Sequence, residues 1–343
     1  MTLPEPASPN NALPALAAGH EPPAALLLND VSLREGEQSE GIVFALETKV
    51  ELALALEAAG VGQVQVGYPG RFARDAEAVG AVAGALGRAR VEAVSLAFVA
   101  DWRADVDACA ASGAGVVNVV FRSSDRLQRL LGVSREEAVA RVEAAVARAV
   151  AGGVEVAFTP SDGTRADPDH LAALWEAAVR AGASRVYVAD SMGAGTPELV
   201  AWLVRRARAV TGLPVGVHCH DDLGLVVANT TAGVLAGAEI ADVAVNGLGD
   251  RAGNAPLEEV AVALALGYGV APGVELGGLT ALSRRFAAAS GRPLPANKPV
   301  SGPSTFAHVL PTHVEAMRRD PRAIQPYEPE LVGNEQRLGP RDG

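Results

Sequence analysis

Residues 185–220, RVYVADSMGAGTPELVAWLVRRARAVTGLPVGVHCH, read as strand, helix and strand in turn. A β-rich run (RVYVADS, 185–191) gives way to PELVAWLVRRARAVTG (197–212), whose apolar residues recur at helical spacing and which stops at a glycine. PVGVHCH (214–220) then returns to strand composition, as in a βα unit of a parallel sheet. The unit repeats in both directions along the chain. Further strands are expected at 25–33 (ALLLNDVSL), 63–69 (QVQVGYP), 91–99, 115–121, 154–160 and 240–247, and helices at 45–60, 134–153 and 168–182, with a last helical piece at 256–269. Eight strands, each followed by a helix over about 245 residues, describe an α/β (β/α)8 TIM barrel, whose active site lies at the C-terminal ends of its strands. An open doubly wound sheet is the alternative, but no glycine-rich phosphate fingerprint follows the first strand.

The 343 residues divide accordingly. Residues 1–23, rich in Pro, Ala and Asn, are expected to be a disordered lead, 24–270 the barrel, and 271–343 a small helical C-terminal lid region. Apolar side chains make up 49% of the chain, enough for a large core. The net charge of −11 argues against nucleic acid or an anionic membrane as partner, because both reward basic patches. Two cysteines, Cys109 and Cys219, make no disulfide framework and suggest a reducing compartment. With no signal-peptide pattern and no apolar run long enough to span a bilayer, the expected location is the cytoplasm.

Polar residues collect where the expected strands end: DVSLREGEQ after the first, TPSDGTR after the fifth, DSMG after the sixth, HCHDD after the seventh and NGLGDRAGN after the eighth. Residues i and i+2 of a strand share a face, so His218 and His220 project together and their imidazoles can share one ion. The plainer reading is one satisfied core histidine and one solvated histidine; position at a barrel mouth favours the metal. A divalent ion also needs a hard anionic ligand, and Asp30, Glu35, Asp190, Asp221 and Asp222 all stand on strand ends. Spacing does not choose among them. Cys219, between the two histidines, is expected to point into the core, and Trp102, Trp175 and Trp202 are scattered enough to suit helix-face packing.

Three stretches in order, LREGEQ (33–38), HCHDDLGLVVAN (218–229) and NGLGDRAGN (246–254), closely resemble signatures of the homocitrate synthase and 2-isopropylmalate synthase family. These are metal-dependent TIM-barrel enzymes whose relatives include citramalate synthase and HMG-CoA lyase. The resemblance covers residues 25 to 270 and continues weakly into 306–338, which looks like the family's lid. It implies that Arg34 holds and polarises a keto oxygen, that Glu35, His218 and His220 bind a divalent metal (Mg, Mn or Zn), and that Asn254 is a weaker ligand. It also implies that Gln38, Thr159 and Ser191 line the keto-acid site, and that His313 and Tyr327 do acid/base or positioning work from the lid. The implied substrates are an acyl-CoA and an α-keto acid, the products a 2-hydroxy-2-alkyl dicarboxylate and free CoA, and the implied assembly a homodimer. Glu35, often Asp in isopropylmalate synthases, leans toward the homocitrate-like branch.

This sequence also departs from the family pattern. Ser161 stands where a Glu is common, and Ala157 where homocitrate synthases have an Arg that grips the distal carboxylate of 2-oxoglutarate. Arg165, Arg103 or Arg122 is then expected to supply the cation, with Arg165 as the substrate-binding choice. Otherwise the substrate is pyruvate, oxaloacetate or a phosphono- or phosphino-pyruvate. LPTH replaces the family's SGIH, and His313 and Tyr327 are spaced wider than usual. The chain stops at 343, which leads to the expectation of no C-terminal regulatory domain and no leucine feedback. Two other functions compete. HMG-CoA-lyase-like C–C cleavage is disfavoured because GLGDRAGN contains no cysteine, and a non-catalytic organic-acid-binding relative because Arg34, Glu35, His218 and His220 are all present.

Overall fold

The computed structural model describes residues 3–12 and 17–339. Strands β1 (Leu27–Asp30), β2 (Gln63–Gly67), β3 (Arg90–Leu96), β4 (Val116–Arg122), β5 (Glu155–Ser161), β6 (Arg185–Asp190), β7 (Val215–Cys219) and β8 (Ile240–Val243) close into a barrel in sequence order. All pairs are parallel, and β8 returns to β1 with Asn29 opposite Asp242. The crossovers are carried by α2 (Leu46–Ala58), α3 (Ala73–Ala85), α4 (Trp102–Ala110), α5 (Asp125–Leu131), α6 (Arg135–Ala151), α7 (Pro168–Arg180) and α8 (Pro197–Thr211), then α9 (Val226–Leu235) and α10 (Leu257–Val262). Local chemistry sets their ends. Ser134 and Glu137 form a reciprocal capping box on α6, Thr196 caps α8 ahead of Pro197, and α8 stops at Gly212 in the left-handed conformation.

Outside the barrel wall, Phe121, Phe158, Leu174 and Trp175 belong to the continuous apolar core beneath the helices. Inside, the alternation brings polar residues together instead. Asn29 donates to Asp242 (2.8 Å), Gln63 to Glu92 (2.6 Å), Arg185 to Gln63 (3.1 Å) and Thr159 to Asn118 (2.8 Å), all at buried positions. A buried polar group left unpaired costs about 1–3 kcal/mol, so this layer is tolerable because these groups pair with one another, although Asn29 Oδ1 has no partner among the described residues. Val116, Ala157, Tyr187 and Ile240 form a small apolar plug of their own. A Cβ on Gly216 would run into the Tyr187 ring, which is why a glycine stands there.

Two strand ends differ from expectation. The first strand ends at Asp30 rather than 33, because the Asp30 carboxylate accepts the Ser32 N–H (2.9 Å) and hydroxyl (3.1 Å) and turns the chain into a single helical turn, α1 (Ser32–Glu35). The eighth strand ends at Val243, ahead of Asn246 at φ 63°. The described part of residues 1–23 makes contacts with the barrel: the Ala7 N–H donates to the Leu266 carbonyl (3.1 Å), Glu21 pairs with Arg208 (3.1 Å), and Leu3 and Ala7 pack on the core. Residues 1, 2 and 13–16 of the expected lead lie outside the described residues. The C-terminal region contains α11 (Leu279–Ser290), α12 (Pro311–Arg319) and a two-stranded parallel sheet of β9 (Ala307–His308) and β10 (Arg337–Leu338). Among the described residues, no helix is long and apolar enough to cross a membrane.

Both cysteines are buried free thiols. Burial pushes Cys109 up to about 12 and Cys219 well above its ordinary value. The reactive thiolate is therefore absent at ordinary pH. Neither should be alkylated by iodoacetamide at pH 8 in the folded protein, and both should be once guanidinium unfolds it. Mass-spectrometric detection of rapid native labelling would contradict this.

Candidate active site

The strand alternation of β7 turns His218 and His220 into the barrel mouth, with their Nε2 atoms 3.2 Å apart. From α1, Glu35 brings Oε1 to 3.7 Å from His218 Nε2. The three residues are buried and offer ligand atoms all within 4.8 Å of one another; among the described residues this is the one His/Cys/Asp/Glu group of that kind. The other candidate carboxylates are engaged elsewhere. Asp30 holds Ser32, Asp190 accepts from Thr164 and the Gly195 N–H, Asp221 accepts the Val226 N–H, and Asp222 pairs with Arg251.

The donors fit a divalent cation. Asp242 Oδ2 lies 2.9 Å from His218 Nδ1, an arrangement that assigns the proton to Nδ1 and leaves the Nε2 lone pair facing Glu35 and His220. Burial, and then the neighbouring His218, lower His220 to about 4, so at neutral pH it is the neutral imidazole a metal needs. Glu35 Oε2, His220 Nδ1 and Asn254 Oδ1 are buried without a hydrogen-bond partner among the described residues. Two imidazoles and a carboxylate suit Zn²⁺ and related ions. Asn254 lies beside the group, its Nδ2 3.4 Å from His218 Nε2.

Arg34 is buried next to this cluster. Its guanidinium pairs with Glu35 and donates to Gln65 Oε1 and to the Tyr68 hydroxyl (2.9 Å). Burial opposes the charges, yet the pair holds Arg34 above its ordinary range and Glu35 below its own. Both open on a cavity of about 270 Å³ that Gln38, Thr159, Ser161 and Ser191 also line. On the far side, β3 and β4 and the segments after them contribute Val94, Leu96, Phe98, Val120, Leu127 and Arg122.

Residues 25–285 match the HMGL-like family. The chain belongs to that family. This HMGL-like protein is 38% identical over 317 residues to Homocitrate synthase AksA of Methanopyrus kandleri, a match covering 92% of this chain and 79% of that one. It is 40% identical over 318 residues to a probable 2-isopropylmalate synthase of Ignicoccus hospitalis, again 92% and 79%. The crystal structure of the Bacillus subtilis HMG-CoA lyase superposes with a TM-score of 0.68 at 20% identity, covering 80% of this chain and 96% of that one, a likeness of fold.

In this HMGL-like barrel most residues singled out from the sequence converge: Arg34, Glu35, Gln38, Thr159, Ser191, His218 and His220 line one cavity, and Asn254 adjoins it. Arg165 does not, since it is bound to Asp162 by two bonds of 2.7 and 2.8 Å. Arg103 is stacked 4.4 Å over Trp102, also away from the cavity. His313 and Tyr327 are likewise not among its lining residues. Helix α12 buries Val314 and Met317, so its i, i+3 stripe leaves His313 on the exposed face, while Tyr327 packs edge-on against Phe306. Sequence reading passed over Asp242, Tyr68, Gln65 and Asn118. A usable signal existed for Asp242 and Asn118, each a polar residue set between apolar neighbours in its strand.

Asp242→Asn is expected to weaken divalent metal binding by roughly 10–100-fold, because the amide no longer fixes the His218 tautomer. Calorimetric titration of the protein with Mn²⁺ or Zn²⁺ reads this directly; an unchanged affinity would make Asp242 a packing residue only.

Proposed function

We propose that this protein condenses an acyl-CoA with an α-keto acid, releasing free CoA and a 2-hydroxy acid with one carboxylate more than the keto acid: a 2-hydroxy-2-alkyl dicarboxylate from a monocarboxylic keto acid, a tricarboxylate from one with a distal carboxylate. The observation that carries the reading is the juxtaposition of Arg34 with the Glu35–His218–His220 cluster on one wall of the cavity, in a chain whose similar relatives are named as homocitrate and 2-isopropylmalate synthases. A divalent ion held by Glu35, His218 and His220 supplies, when bound, a Lewis acid for an α-keto acid's oxygens. Gln38 and Ser191 donate hydrogen bonds to the keto-acid carboxylate, while Thr159, whose hydroxyl donates to Asn118, lines the wall beside them. A base takes a proton from the acyl methyl group, and the carbanion attacks the keto carbon. The new alkoxide charge falls against the Arg34 guanidinium, which Tyr68 and Gln65 keep in place, and the alkoxide then takes a proton from the protonated base to become the 2-hydroxyl. Water then cleaves the thioester to a carboxylate and the free thiol.

The acyl donor is assigned to a second cavity of about 490 Å³, which shares Gln38, Asp250 and Arg251 with the first and is also lined by Arg292 and Lys298. The base is assigned to His313, with Tyr327 positioning, contributed by the lid of a second copy in a homodimer. This agrees with their place outside their own chain's cavity and with the exposed apolar residues Val309, Leu310 and Ile324 of the same region.

Release of free thiol from acetyl-CoA, followed with a thiol reagent across 2-oxoglutarate, 2-oxoisovalerate, pyruvate, oxaloacetate and phosphonopyruvate in Mg²⁺, Mn²⁺ or Zn²⁺, tests the reading. Release with one of the acids, lost on chelation, is expected. Acetoacetate from HMG-CoA with silence across that panel would instead favour the lyase reaction.

A further inference from the structure

We propose that Arg122 reads a second anionic group on the keto acid, so that the substrate is a keto acid with a distal carboxylate or phosphonate rather than a branched aliphatic one. This rests on the condensation reading above. Arg122 is the last residue of β4 and follows Asn118 and Val120 on the strand's inward face; all three line the cavity. Its guanidinium lies 4.5 Å over the Phe98 ring, a stacking that fixes the plane and leaves the N–H edge available to an anion.

The other cavity arginines are already committed, Arg34 to Glu35 and Tyr68, and Arg251 to Asp222 and Asp250. Arg122 makes no ion pair with the described residues, although the chain carries 40 acidic residues against 29 basic ones. Its register partner on β5 is Ser161, a hydroxyl that leaves the charge uncompensated. Leu96, Val120 and Leu127 line the same cavity, an apolar stretch that suits a methylene spacer. Ala157 lies lower on β5, opposite Asn118 and inside the apolar plug with Tyr187, so the distal cation comes from the end of β4 and not from that position.

The experiment compares kcat/KM for thiol release from acetyl-CoA with dianionic acids (2-oxoglutarate, oxaloacetate, phosphonopyruvate) and monoanionic acids (2-oxoisovalerate, pyruvate), using the Mn²⁺-loaded full chain. Native protein should prefer a dianionic acid, and which one leads decides between carboxylate and phosphonate. Arg122→Met should reduce the dianion-to-monoanion ratio on the order of 100-fold, with Mn²⁺ affinity retained and Arg122→Lys restoring part of the ratio. Ser161→Glu, which sets a carboxylate opposite Arg122, should reduce the ratio in the same direction without touching the arginine. A native preference for 2-oxoisovalerate or pyruvate, or an equal fall for both classes of acid, would overturn the proposal. If no acid releases thiol, the condensation reading fails by itself. Calorimetric binding of the same acids to Mn²⁺-loaded protein then decides: dianion binding lost in Arg122→Met supports the role of Arg122, and unchanged binding overturns it.

Discussion

Arg34→Met is expected to lower kcat for thiol release by roughly 10²–10³-fold while the protein still binds its metal. The guanidinium is placed by three partners, Glu35, Gln65 and the Tyr68 hydroxyl, so it meets developing alkoxide charge without having to reorganise. Low exposure raises the value of that charge, because little water screens it. The variant leaves the Glu35 carboxylate without its arginine, but a bound divalent cation compensates the same carboxylate, so metal affinity should survive. Arg34→Lys should not restore the rate, since an ammonium does not reproduce donors aimed at Gln65, Tyr68 and the substrate together. Single-turnover rates and metal titrations on the same preparations separate the two effects. A kcat within a few-fold of native would reduce Arg34 to a counterion of Glu35.

The second large effect is expected from the histidines. His218→Ala or His220→Ala removes one of two imidazole donors and should abolish chelator-sensitive turnover, with metal affinity falling by at least about 100-fold, more than for loss of an outer partner alone. A readout independent of catalysis follows from linkage: an ion present at 100 times its Kd stabilises the native chain by about 2.7 kcal/mol. Thermal unfolding should therefore rise with added metal in the native protein and stay flat in either variant. Metal-dependent stabilisation that persists in both variants would place the ion elsewhere.

Much of this was legible in the sequence. Repeated strand-then-helix composition specified the barrel, because parallel strands need crossovers and eight such units close. The i, i+2 spacing of His218 and His220 put both imidazoles on one face before any distance was known. Strand ends were less legible. At Asp30 a side chain competes with the ladder for the next backbone N–H, and periodicity does not register that competition.

The sequence by itself determined the order of the elements, the inward or outward sense of each strand residue and the proximity of Arg34 to Glu35, since all three depend on chain neighbours and fixed backbone periods. Strand spacing left five strand-end carboxylates open and the family resemblance pointed to Glu35; only the tertiary structure showed Glu35 beside the histidines, that Asp242 holds His218, and that Arg165 is occupied while Arg122 faces the cavity without an ion-pair partner among the described residues. It likewise put His313 and Tyr327 outside their own chain's cavity. These are relations between residues up to more than two hundred positions apart. They are set by the closure of β8 on β1 and by how the helices pack around the result, and no local period in the chain encodes either.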